Sequence, residues 1–129
     1  MGKVSYLIIL FSIINFFFQG ISTDERVELL MKIADEIGEI YVSFHLEPYE
    51  DRNISMVRDD IVYIFEKYSK YKSFYRDSKT YKPIFYCYDS YKISSSQWKS
   101  LLSVEGSMSL RNTSYDSVFI GLILRNRFF

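Results

Sequence analysis

The sequence predicts a parallel α/β fold, and three observations predict it. Three runs dense in β-branched and aromatic residues, Ile40–Leu46, residues 84–88 and residues 117–124, have the composition of strands buried on both faces. A stretch whose apolar residues recur at the helical period precedes each of them. Cap and turn formers separate the segments, and no internal repeat or low-complexity tract interrupts the alternation. About three parallel strands are therefore expected, preceded by an N-terminal apolar helix.

That helix is expected over residues 4–18, an uncharged apolar run that follows Lys3. Its length suits a signal-peptide core and falls short of the ~20 residues of a full membrane span. Gly20 and Ser22 supply small residues for cleavage after Ser22. Residues 1–22 are accordingly expected to be a signal peptide, or a signal anchor that holds the protein on a membrane if uncleaved, with residues 23–129 as the folded domain. A buried core helix or strand is the competing reading of the same run.

Ser22 can cap the next helix with Glu25 three positions on, and Val27, Leu30, Met31, Ala34 and Ile37 then fall on one face. Gly38 stops it. Pro48 ends the strand Ile40–Leu46, because it has no N–H for the ladder. Val57, Ile61, Ile64, Phe65 and Tyr68 return to the helical period over Ile54–Tyr68, leaving Arg58, Asp59, Glu66 and Lys67 for the solvated face. Residues 69–82 read as a polar connector, and Pro83 opens the second strand. Serines 94 to 96 can cap a helix carrying Trp98, Leu101 and Leu102. Residues 106–114 form a loop of turn formers before the third strand.

Composition narrows the chemistry. Sixteen basic residues balance sixteen acidic ones, so no long-range field draws nucleic acid, and a neutral ligand is expected. Aromatic residues make up 19% of the chain, and their faces suit sugar rings as well as cores. One cysteine, Cys87, excludes an intrachain disulfide; with one histidine as well, a zinc site is not expected. Cys87 lies inside an apolar run and is expected to be a buried thiol. There is no Gly-x-Ser-x-Gly elbow and no Gly-rich phosphate loop.

In parallel α/β folds the carboxyl ends of strands carry the chemistry, because side chains and loops converge there above a packed core. His45, Glu47 and Tyr49 leave one strand end; Tyr88, Asp89 and Tyr91 leave another. Spacing alone nominates Glu47 and Asp89 as a carboxylate pair, since neighbouring strands lie ~4.8 Å apart and retaining glycosidases hold two carboxyls ~5 Å apart. Taken singly, His45 can be a structural histidine, Glu47 a solvated loop carboxylate and Asp89 a turn former.

Together, in order, the segments His45-Leu46-Glu47-Pro48-Tyr49 and Tyr88-Asp89-Ser90-Tyr91 resemble the substrate-pocket segments of glycoside hydrolase family 99, the endo-acting α-1,2-mannosidases of N-glycan trimming. The resemblance runs over residues 40–124. It implies an incomplete (β/α)8 TIM-barrel fragment, since a closed barrel typically takes ~250 residues. It also implies a mannose-containing N-glycan as partner, no cofactor or metal, and a Golgi membrane location on the lumenal side or elsewhere in the secretory lumen. His45, Glu47, Tyr49, Tyr88, Asp89 and Tyr91 then form the substrate-binding wall, with Glu47 accepting hydrogen bonds from mannose hydroxyls. Asp51 and Arg52 continue the match as a loop-stabilising ion pair. The family's acid and base are two glutamates in a Glu-Trp-His-Glu-Gly-like segment, which this sequence lacks, so no catalytic residue is assigned and the chain alone is expected not to turn over substrate. A non-catalytic carbohydrate-binding protein and a membrane-tethered interaction protein are the alternatives. Two sequons, Asn53-Ile54-Ser55 and Asn112-Thr113-Ser114, matter if the chain enters the lumen.

Overall fold

Four strands lie side by side in the order in which the chain makes them, each parallel to its neighbour. The structure is a computed structural model that describes residues 7–12 and 23–121. Its elements are β1 (Leu7–Ser12), α1 (Thr23–Ile37), β2 (Ile40–Leu46), α2 (Ile54–Tyr68), β3 (Ile84–Cys87), a 3-10 turn (Ser90–Lys92), α3 (Ser95–Leu102) and β4 (Val118–Gly121).

The first strand corrects the sequence reading. Residues 7–12 are not helical: β1 runs parallel to β2, with Leu7 opposite Ile40 and Ser12 opposite His45. Among the described residues the sheet thus has four strands rather than three. An unbroken apolar run has no period that separates helix from strand, and Ile8, Ile9 and Phe11 suit either. The rest of the expected apolar helix, the cleavage site after Ser22 and the Ser22 cap lie outside the described residues. Among the described residues no helix is long and apolar enough to cross a membrane.

The remaining elements follow local physics. Val27, Met31 and Ala34 of α1 are buried, while Ile37, expected on the same face, is 53% exposed. Gly38 ends α1 at φ +77°, a left-handed conformation open to glycine, and its N–H donates to the Ala34 carbonyl at 2.9 Å. Asn53 caps α2 by accepting from the Met56 N–H at 3.1 Å. Ser94 and Gln97 form a reciprocal capping box at the start of α3. The connector before β3 is more ordered than its polar sequence suggests. Tyr75 donates to the Val42 carbonyl and Val42 donates to that of Ser73, which lays buried Phe74 beside β2. Gly106 lets the loop after α3 fold back: a Cβ there would stand 2.0 Å from the Ser100 carbonyl oxygen.

Alternation along the strands divides the sheet into two faces. Val42, Phe44, Leu46, Phe85 and Cys87 turn to the helical layer and are buried with Ile61, Ile64, Phe65 and Tyr68 of α2. Phe44 stacks on Tyr68 with ring centroids 5.3 Å apart and meets Phe74 at 5.7 Å. Tyr41, His45 and Tyr86, one step out of phase, are only partly buried. Leu110 and Trp98 close the core from the α3 side.

Two carboxylates fasten the layers. Asp24 at the start of α1 accepts from Lys67 at 2.6 Å and Tyr68 at 3.1 Å, and also from Tyr63, all at the end of α2. Asp116, just before β4, accepts from Lys82 at 2.7 Å and Arg111 at 2.8 Å. Arg111 also donates to the carbonyls of Leu102 and Ser117, so the loop, the end of α3 and the approach to β4 share one cation. Burial pushes the Asp116 carboxyl up, but the hydrogen bonds from Lys82 and Arg111 outweigh it and hold the group below the usual carboxylate range.

Two outcomes are expected in denaturation experiments. Phe44→Ala should lower the unfolding free energy by about 3–5 kcal/mol in urea titrations, the cost of emptying a fully packed aromatic site. Asp116→Asn should cost about 1–3 kcal/mol at neutral pH. Because the folded-state pKa is depressed, that stabilisation is present above the unfolded value of ~4 and lost as pH falls through the folded one. Thermal melts of wild type and variant should therefore converge on acidification.

Candidate functional site at the carboxyl ends of β2 and β3

The parallel register brings the ends of β2 and β3 level, with Leu46 opposite Cys87, so the residues that follow both strands emerge together. His45 and Glu47, two apart on β2 and its exit, point the same way. The His45 Nδ1 lies 3.2 Å from the Glu47 carboxylate, and both side chains keep access to solvent, at 23% and 29% exposure. Across the seam the His45 ring meets Tyr88 edge-on, with centroids 5.8 Å apart and planes at 84°. Tyr88 extends the ladder by one bond beyond β3, its N–H donating to the Leu46 carbonyl at 3.1 Å. An imidazole, a carboxylate and an exposed phenol ring therefore sit around one seam.

Asp89 has a different task from its neighbours. It is buried as a residue and adopts φ 51°, a left-handed conformation that aspartate tolerates better than most side chains. Its carboxylate pairs with Lys92 at 2.5 Å. That hydrogen bond first, and one from Tyr91, hold the Asp89 carboxyl below its usual range. Asp89 thus orders the turn that carries Tyr91, and Tyr91 remains 47% exposed. Trp98 of α3 braces the same turn by donating its indole N–H to the Ser90 carbonyl at 2.8 Å.

Tyr49 is turned toward α2, where its hydroxyl donates to Asp60 at 2.8 Å. Burial, then the bond to Asp60, push the Tyr49 phenol well above its ordinary range, so it stays a neutral donor. Burial also raises the Asp60 carboxyl despite that hydrogen bond. Cys87 is buried as expected, and burial moves its thiol up to about 11, which removes it as a nucleophile.

Arg52 departs from the expected ion pair with Asp51. Its guanidinium instead donates to three backbone carbonyls: Leu46 at 3.3 Å, Tyr88 at 2.7 Å and Asp89 at 3.1 Å. Sequence reasoning missed this use, as it missed Asp60 and Trp98. Carbonyl acceptors leave no trace in residue type, and Asp60 lies a helix turn and a loop away from Tyr49. A lone tryptophan close after the Tyr88-Asp89-Ser90-Tyr91 segment was the one available hint.

A separate hollow of about 170 Å³ is lined by Ala34, Asp35, Gly38, Ile40, Tyr41, Lys72 and Ser73. It lies at the opposite end of the sheet, where β2 begins, and its carboxylate is already taken: Asp35 accepts from the backbone N–H groups of Lys72 and Ser73. Among the described residues no group of three His, Cys, Asp or Glu side chains is arranged to hold a metal ion.

Comparison with known proteins shows the family. The chain is 37% identical over 111 residues to a glycoprotein endo-alpha-1,2-mannosidase of Xenopus laevis, a match that covers 84% of this chain and 24% of the relative. It is 42% identical to a glycoprotein endo-alpha-1,2-mannosidase-like protein of Danio rerio, covering 84% of this chain and 25% of the relative. The chain thus spans about a quarter of the length of the curated relatives it matches. Its fold superposes on a GH99 endo-alpha-mannosidase from Bacteroides thetaiotaomicron with a TM-score of 0.72 and 42% identity, over 78% of this chain and 28% of that one. The described sheet and helices are therefore a fragment of the parallel α/β architecture of those enzymes. The family model for glycosyl hydrolase family 99 matches residues 5–128, a span that takes in β1 as well as both strand-end segments, and the chain belongs to that family of glycoside hydrolases.

Proposed function

We propose that this chain supplies part of the glycan-binding wall of an endo-α-1,2-mannosidase that cuts internal α-1,2-mannosidic bonds of glucosylated N-glycans. The observation that carries the reading is the convergence of His45, Glu47 and Tyr88 at the carboxyl ends of two adjacent parallel strands, with all three open to solvent. In this role Glu47 accepts hydroxyl protons from mannose and adds negative potential near the reacting sugar. His45, oriented by Glu47, donates to or accepts from a neighbouring hydroxyl. Tyr88 and Tyr91 offer ring faces and phenols to the sugar. Asp89 and Tyr49 act one step back, the first by shaping the Tyr91 turn and the second by joining the β2 exit to α2.

No catalytic residue belongs to this reading, because the paired glutamates of the family's reaction have no counterpart in the sequence. Binding without turnover is the behaviour proposed for the chain by itself. A lumenal, Golgi-type location goes with this reading, and Asn53 and Asn112, both exposed, support it as acceptors of N-linked glycan. A membrane anchor at residues 1–22 would compete with β1 for residues 7–12, since one segment does not pair in this sheet and cross a bilayer as a helix at once.

Calorimetric titration with α-1,2-mannobiose is expected to show binding by the 129-residue chain and no release of mannose. Glu47→Gln should weaken it about tenfold, the loss of one charge-assisted hydrogen bond; no heat with wild type would remove the proposal. Expression in a secretory host should give a mass decrease on treatment with peptide N-glycosidase, abolished by Asn53→Gln with Asn112→Gln, and an unmodified chain would remove the lumenal assignment.

A further inference from the structure

The ends of β2 and β3 part company just beyond Leu46 and Tyr88, and one side chain spans the gap. The turn 49–52 closes with the Arg52 N–H donating to the Tyr49 carbonyl at 3.2 Å, and Asp51 in the left-handed region at φ 57° reverses the chain there. Arg52 is thereby aimed back across the seam. One arm of its guanidinium reaches the Leu46 carbonyl on its own strand exit, and the other reaches the carbonyls of Tyr88 and Asp89 on the neighbouring one. The left-handed backbone at Asp89 lets two successive carbonyls converge on a single nitrogen.

These three acceptors sit beside the residues that matter. Leu46 is flanked by His45 and Glu47, and the other two carbonyls belong to Tyr88 and Asp89 themselves. We infer that Arg52 is a positioning residue for glycan recognition: a planar fork that fixes the distance between the His45–Glu47 side of the wall and the Tyr88–Asp89–Tyr91 side. The inference rests on the proposed glycan-binding role of that wall. A guanidinium suits the task because its donors diverge at fixed angles, whereas a lysine ammonium is a point charge on a flexible stem. Strand pairing itself ends at the Tyr88 N–H, and the His45–Tyr88 ring contact beyond it is the geometry that the fork would hold in place.

The test uses the whole 129-residue chain and two readouts, the nuclear Overhauser contact between the His45 and Tyr88 rings and the affinity for α-1,2-mannobiose. Arg52→Gln should abolish the ring contact and weaken mannobiose binding about tenfold while amide-exchange protection of Phe44 and Phe85 persists. Arg52→Lys should fall between, keeping the charge and losing the fork. Arg58→Gln is the control: Arg58 also donates to a backbone carbonyl, that of Met108, away from the seam, and neither readout should move. Retention of both the ring contact and wild-type affinity in Arg52→Gln would overturn the inference. If Arg52→Gln does not fold, Arg52→Lys decides by the same two criteria. If wild type itself binds no mannobiose, the glycan-binding reading fails on its own, and the ring contact alone then judges whether Arg52 sets the geometry.

Discussion

Phe44 is the side chain on which the sheet and helices agree. Its backbone stands opposite Phe11 of β1 on one side and Phe85 of β3 on the other, and its ring is fully buried against Tyr68 and Phe74. A one-residue slip of β2 would exchange it with His45 or Ser43, putting a polar group into the helical layer and a phenyl ring at the strand-end face. Register here is consequently set by burial rather than by ladder hydrogen bonds, which would be equally content one step along. Ser43 reinforces it from the other face by donating to the Ile84 carbonyl at 2.9 Å.

The candidate site inherits its order from that packing. His45 is one residue beyond Phe44, so its direction is fixed by alternation, and Glu47 is fixed two residues later before Pro48 releases the strand. On β3 the same logic carries Phe85 and Cys87 inward and leaves Tyr88 at the exit. The division of labour between the carboxylates follows from their surroundings. Asp89, Asp60, Asp116 and Asp24 are all occupied by protein partners, whereas Glu47 meets one imidazole and keeps a solvent-accessible face. A group left with open acceptor positions beside an exposed aromatic ring is available to a polyhydroxylated ligand in a way that the fastened carboxylates are not.

Much of the architecture could be read in advance because local and global signals coincide in it. Helix α2 spans Ile54–Tyr68, the stretch that its apolar period marks in the sequence. Gly38 and the serines at 94 to 96 mark their boundaries equally well. The apolar N-terminal run was the failure, since uniform hydrophobicity carries no period and the strand is recognised by its partner β2 rather than by its own residues. The strand-end segments come together at the candidate site, but the contacts each residue makes there depend on the fold. Tyr49 turned to Asp60, Asp89 to Lys92, and Arg52 away from its sequence neighbour toward carbonyls as far as Asp89, none of which is encoded in spacing.

Strand order has a consequence for how such a sheet can be made. Each described strand after the first pairs with the one that precedes it in the chain, with a helix between the two, so its partner has already been synthesised when it leaves the ribosome. Each pairing closes a loop of similar length, as Leu7 with Ile40, Phe44 with Phe85 and Ile84 with Val118 show, so its entropic cost stays nearly constant as the chain lengthens. The nascent polypeptide can therefore grow its core by vectorial addition, with the exposed margin of the latest strand always serving as the template for its successor.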